Sequence, residues 1–113
     1  MKLSVLNKTD FTIIKVKTTR IDAINSPNLR RQIKELTDQG INRIIIDLSS
    51  VTFMDSSGLG TVVSILKMLG VTGDLVIAGA NGVVADLFTL TRMDRVFRMC
   101  SDAESAEHIL ETA

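Results

Sequence analysis

The sequence predicts an α/β fold: a mixed, mostly parallel sheet covered by helices, with elements running ββαβαβαβα through one domain, residues 1–113, without a linker. Three observations predict it. The apolar runs RIIIDL at 43–48 and DLVIAGA at 74–80 have the composition of strands covered on both faces, as parallel strands are. Segments with helical periodicity alternate with those runs. A chain of 113 residues also has the length of a single core.

Each element has its own signal. LSVLNKTDFTIIKVK reads as two strands joined at the polar cluster Asn7, Lys8, Thr9 and Asp10. In the second strand Ile14 and Val16 alternate with Lys15 and Lys17, so one face is buried and the other wet. NSPNLRRQIKELTDQG reads as a helix with Ser26 as cap, Pro27 in the first helical position and Gly40 as a left-handed stop. Its apolar stripe is Leu29, Ile33 and Leu36. In LGTVVSILKML the stripe is Leu59, Val62, Val63, Leu66 and Leu69, which puts Thr61, Ser64 and Met68 opposite and Ile65 at the edge. NGVVADLFTL reads as a helix capped by Asn81, with Val83, Val84, Leu87 and Phe88 inward. RVFRM is a last strand. In SDAESAEHIL, Ser101 and Glu104 stand at capping-box spacing before a final helix.

Composition narrows the function. Thirteen basic and thirteen acidic side chains cancel and the pI is near 6.6, which argues against a nucleic-acid binder held by phosphate neutralisation. Trp and Tyr, common anchors of tight interfaces and base-stacking platforms, are absent. One cysteine, Cys100, permits no internal disulfide and reads as a small core hydrophobe in a reducing compartment. No apolar run has signal-peptide or membrane-spanning length, so the expected location is cytoplasmic, with no direct membrane insertion.

The stretch that stands apart is FMDSSGLG, 53–60, between a buried strand and a helix. Asp, Ser and Gly suit a tight strand-to-helix turn, and on that reading Ser56 is a helix cap and the glycines admit close packing. Catalytic readings fail on their own terms. Met54 stands where a nucleophile elbow needs glycine. Gly58 and Gly60 begin a dinucleotide fingerprint that Val63 breaks, with no acidic residue about 20 positions on. The lone histidine, His108, has no partner signature, and no Cys/His cluster or carboxylate set suits a metal. The expectation is a protein that is not an enzyme and needs no cofactor. A hydroxyl at a helix mouth remains, where free N–H groups and the helix dipole favour negative charge. A phosphate there adds roughly 1.5–2 negative charges at pH 7 without disturbing the fold.

VTFMDSSGLGTVVSILKML, following INRIIIDLS, resembles the phosphorylation motif of anti-sigma factor antagonists (anti-anti-sigma factors), members of the STAS-domain family. The likeness covers nearly the whole chain in element order and length. The family motif is Asp-Ser-(Ser/Thr)-Gly, and the resemblance implies that Ser56 is phosphorylated, with Ser57 as the alternative. It further implies that the unphosphorylated protein binds an anti-sigma factor with serine kinase activity and frees a sigma factor. Phosphorylation breaks that complex, and a PP2C-type phosphatase restores it. ATP and magnesium would belong to the kinase. Asp55, Ser57 and Gly58 would form the loop, Asp55 holding the turn and orienting the kinase's phosphate or metal. Asp22 matches the family's acidic residue after the second strand, although the glycine that usually precedes it is missing. A glycine usual just after the third helix is replaced by Arg92.

Beside the loop, Asp22, Asn25, Met54, Thr61, Ser64 and Met68 are the expected partner contacts, Met54 doubling as a core candidate. Arg92, Arg95 and Arg98 form a basic cluster that reads as solvated surface. Two other readings stay open: a STAS subunit of a membrane transport complex without serine phosphorylation, and a small nucleotide-binding domain using the carboxyl edge of the sheet.

Overall fold

The computed structural model describes residues 1–112 and bears out the fold class. The strands β1 (Leu3–Asn7) and β2 (Thr12–Val16) form an antiparallel hairpin. A short strand β3 (Arg20–Ile21) leads into α1 (Ser26–Asp38). Then follow β4 (Arg43–Asp47), a second short strand β5 (Phe53–Met54), α2 (Ser56–Leu69), β6 (Asp74–Ala78) and α3 (Gly82–Leu90). A 3-10 turn (Met93–Arg95), β7 (Arg98–Cys100) and α4 (Ala103–Thr112) complete the described chain.

The main sheet runs β1-β2-β4-β6-β7, parallel from β2 onward. Period-2 geometry sends neighbouring side chains of β4 to opposite faces. Ile44 and Ile46 join Ile14, Val16, Leu75 and Ile77 under α1, α2 and α3, while Ile45 joins Val76 and Ala78 under α4 through Ala106 and Leu110. Both faces are therefore covered, which is why β4 and β6 read as unbroken apolar runs.

The sequence reading missed β3 and β5, a two-residue parallel pair set apart from the main sheet, in register Arg20 with Phe53 and Ile21 with Met54. Two residues carry no periodicity. The pair nevertheless matters, because it buries Ile21 and Met54 in the main core and fixes the approach to α2. Met54 is thus a core residue and corrects its expected place in an interface.

Several end signals are displaced. Ser26 lies inside α1 and is buried; Asn25 holds the cap position, its side chain bonded into the preceding loop. Gly40 has φ 95, the left-handed stop expected. The last strand begins at Arg98, with Phe97 packed edge-on to Phe88 just before it. The cap of α4 is Asp102, which accepts from the Ser105 N–H at 2.7 Å, one residue beyond the predicted Ser101. Asn81 occupies the cap position of α3 but does not cap it, since its amide donates to the Gly79 and Ser49 carbonyls. In α3 Val83 is exposed rather than inward, and Leu87 is only partly buried; Val84 and Phe88 alone carry the buried face.

The inner face of α2 is rotated from the expected stripe. Thr61 and Ile65 are buried, at 8% and 0% exposure, whereas Val63 and Leu66 are half-buried. Helix α1 packs alongside α2, with Arg30 donating to Ser64, so the covered face of α2 is wider than the stripe expected from the sheet alone.

Candidate functional site

The candidate site is the entrance to α2. Asp55 leaves β5 in extended conformation (φ −103, ψ −175) and caps the helix, its Oδ1 accepting from the Gly58 N–H at 3.0 Å. The reading of Ser56 as the cap is therefore overturned. Ser56 and Ser57 fill the first two helical positions, both exposed, and among the described residues neither hydroxyl enters a hydrogen bond. Their backbone N–H groups belong to the orphan donors of the first turn, and that turn contains no acidic residue. An exposed hydroxyl thus stands over a partial positive charge.

The loop leading into α1 is bound to this entrance. The other Asp55 oxygen, Oδ2, accepts from the Ala23 N–H at 3.3 Å, and the Asp55 N–H donates to the Ile21 carbonyl at 3.3 Å. Gly58 lies directly on Ile21: a Cβ there would come within 2.7 Å of the Ile21 carbonyl oxygen and 2.8 Å of Met54 Cγ. Glycine is required here for close approach rather than for unusual backbone angles.

The loop is held by its own bonds as well. Asp22 Oδ1 accepts from the N–H groups of Ile24 (3.0 Å) and Asn25 (3.3 Å), while Asn25 Oδ1 accepts from the Asp22 N–H and Asn25 Nδ2 donates to the Arg20 carbonyl. Arg20 Nε lies 3.5 Å from Asp22 Oδ2, and its guanidinium stacks 4.2 Å above the Phe53 ring. Partial burial pushes the Asp22 carboxyl upward, but the Asn25 and Ile24 N–H groups and Arg20 outweigh it and hold the group below the ordinary carboxylate value.

Asp22, Asn25, Asp55, Ser56, Ser57 and Gly58 are therefore brought together. The rest of the expected contact set divides. Ser64 is half-buried and accepts a hydrogen bond from Arg30 Nε of α1 at 2.9 Å, and Met68 is half-buried near the far end of α2. With Thr61 buried, these three do not form an outward strip. Two exposed apolar residues on the segments that Asp55 joins were missed: Ile24 at the loop tip, 90% exposed, and Phe53, 36% exposed. Alternation through Phe53 and Met54 was the available signal for the latter.

A hollow of about 240 Å³ lies at the opposite end of the sheet, lined by residues 7–12 and 40–43. Its Arg43 is committed to Asp74 Oδ2 and the Asp10 and Leu110 carbonyls. Among the described residues no group of His, Cys, Asp and Glu could hold a metal ion, and no helix is long and apolar enough to cross a membrane.

The family model described as STAS domain matches residues 2–106. BtrV of Bordetella bronchiseptica, named as a candidate anti-sigma factor antagonist, is 26% identical over 114 residues, covering 100% of this chain and 97% of the relative. The anti-sigma-B factor antagonist of Staphylococcus aureus is 30% identical over 93 residues, 80% of this chain and 86% of that protein. Among solved structures, an anti-sigma factor antagonist from Mycobacterium paratuberculosis superposes with TM-score 0.89 over 97% of this chain and 93% of that one, at 21% identity. The Bacillus cell fate determinant SpoIIAA in its phosphorylated form does so with TM-score 0.72 over 96% and 99%, at 19% identity. The murine anion transporter Slc26a9 matches with TM-score 0.63 at 16% identity, over 74% of this chain but 14% of the transporter.

Proposed function

The chain belongs to the STAS domain family, and from that premise we propose that it is an anti-sigma factor antagonist switched by phosphorylation of Ser56. In its unphosphorylated form it binds an anti-sigma factor with serine kinase activity and so frees a sigma factor. A PP2C-type phosphatase returns the phosphorylated form to service. The protein is a binding switch in the cytoplasm, not an enzyme.

The observation that carries this reading is the division of labour at the α2 entrance. Asp55 supplies the cap, so the Ser56 hydroxyl is exposed and structurally unemployed. A phosphate on Ser56 would meet orphan N–H groups and the positive end of the helix, so the fold would tolerate it. Under a partner the same charge is desolvated or set against like charge, at a cost of several kcal/mol. A cost of about 3 kcal/mol lowers affinity on the order of 100-fold, enough to empty the complex. Covalent change at one oxygen therefore changes association while stability is nearly untouched.

The likeness to an anion transporter's STAS region favours a second reading, a regulatory subunit of a membrane transport complex. The exposed serine counts against it, since that role leaves the hydroxyl without a task. A nucleotide-binding role is disfavoured by the strand order β1-β2-β4-β6-β7, which never reverses and so lacks the switch-point crevice such ligands use.

The test is a pull-down from native cell extract with wild type, Ser56→Ala and Ser56→Asp, with intact-mass analysis of each. A single phosphate on wild type and none on Ser56→Ala is expected, with a serine-kinase anti-sigma factor retained by Ser56→Ala and lost by Ser56→Asp. Recovery of the same membrane-transport subunits by all three, with no phosphate on any, would establish the second reading instead.

A further inference from the structure

We propose that Asp55 is a positioning residue that ties the 22–25 loop to the start of α2, so that this loop and Ser56 meet a partner as one preformed surface. The carboxylate spans 32 positions of sequence: Oδ1 is committed to the Gly58 N–H inside the helix and Oδ2 to the Ala23 N–H in the loop. Each oxygen thus accepts one hydrogen bond from within the chain, and the two together fix the direction of the carboxylate.

The surroundings support a tie rather than a chance contact. Below it, the Ile21 carbonyl accepts from the Asp55 N–H and abuts Gly58 without space for a methyl group. Beyond it, the Asp22 and Asn25 side chains close the loop on itself, and the Ser26 N–H donates to the Asp22 carbonyl to start α1. Asp55 thus joins two separately ordered pieces. Its consequence is the position of Ile24, which directly follows the bonded Ala23 and stands 90% exposed. A loop fixed before encounter does not have to be ordered during it, and a partner gains that difference in affinity.

The tie is read in the free chain and needs no partner. Asp55→Ser leaves an acceptor for the Gly58 N–H and removes the one for Ala23. Asp55→Asn does the same with a side chain of native size, and serves if the serine variant folds poorly. Amide hydrogen exchange by NMR should then quicken at Ala23 by about fivefold, the weight of one ordinary hydrogen bond, and stay unchanged at Gly58. Unchanged exchange at Ala23 in a folded variant overturns the tie.

The role in recognition rests on the proposed switch and is read with the kinase recovered on Ser56→Ala. In either Asp55 variant KM for Ser56 phosphorylation should rise about fivefold, the cost of ordering a loosened loop, with kcat within about twofold. Raising magnesium should not restore the rate; a kcat that falls and is rescued by magnesium would make Asp55 a metal ligand and overturn the proposal. If Ser56→Ala takes up phosphate as wild type does, the switch reading fails, and the Ala23 exchange alone decides whether the tie exists.

Discussion

The entrances of α2 and α3 occupy equivalent places, each receiving the chain from the carboxyl end of a parallel strand, yet they are built differently. At α2 a carboxylate caps the helix and reaches a distant loop, a glycine is wedged against Ile21, and two hydroxyls face solvent. At α3 the Asn81 amide turns back to the Gly79 and Ser49 carbonyls and leaves the helix uncapped by any side chain. Gly82 there has φ 52 and open space around its missing Cβ, and Val83 is exposed. One entrance is tied from several sides and holds its reactive groups outward. The other is a turn that gets the chain into a helix. What makes the first the candidate site is that Asp55 supplies the helix cap and leaves the two hydroxyls exposed.

The glycines break the comparison most forcefully. Gly58→Ala places a methyl group 2.7 Å from the Ile21 carbonyl oxygen, so the gain in helix propensity should be overcome by overpacking, for a net loss of about 2 kcal/mol. Gly60→Ala, two residues on and in open space, should instead gain about 1 kcal/mol. At the other entrance Gly82→Ala meets no atoms but must adopt a left-handed backbone, at a loss of about 1 kcal/mol. Urea denaturation of the three variants gives the order, and a stabilised Gly58→Ala would refute the wedge.

The polar side chains come next. Asp55→Ala removes a cap and should cost about 1–2 kcal/mol, whereas Asn81→Ala removes donors to two carbonyls and no cap, for about 0.5 kcal/mol. Equal losses in the same denaturation series would mean that the two entrances are held alike.

The helix exits extend the contrast at smaller scale. The C-terminal end of α2 turns through Gly70 at φ 66, while the exit of α3 turns through Arg92 at φ 60, the position where the family resemblance expects glycine. Arg92→Gly relieves the left-handed strain but adds chain entropy, so the net gain should be about 0.5 kcal/mol in thermal denaturation.

Acid sharpens the comparison last. The Asp22 carboxyl, part of the α2 entrance, is held below its ordinary value of 3.8 in the folded chain. A depressed folded pKa contributes stability that is present above 3.8 and lost as pH falls through the folded value. Asp102 behaves likewise, through the Ser105 N–H and hydroxyl. Neither group protects the α3 entrance. Urea midpoints measured from about pH 5 down to pH 2 should therefore fall less steeply for Asp22→Asn than for wild type.

Much of this was legible in the chain. Strand runs covered on both faces, the Gly40 stop and the punctuation of FMDSSGLG rest on composition and spacing over a few residues, and the structure agrees with them. The misplaced signals share a cause. Ser26 and Ser101 are good capping residues one position from the equally good Asn25 and Asp102 that hold the cap positions. Asn81 holds its position but turns its amide to the Gly79 and Ser49 carbonyls. Where the chain turns decides each. Two-residue strands such as β3 and β5 fall below the length at which alternation can be recognised.

By itself, then, the sequence determined the order of the main-sheet strands and helices and the presence of an unusual helix entrance, because both follow from local preference and hydrophobic period. Tertiary structure decided which side of α2 is covered, burying Thr61 and Ile65, because a stripe records how wide the apolar face is and not where the neighbouring helix lies. It also decided that Asp55, rather than Ser56, caps the helix and that Asp55 holds Ala23. A hydrogen bond between residues 32 positions apart exists only once β3 and β5 have paired and brought the loop against the helix, and no short-range pattern encodes that.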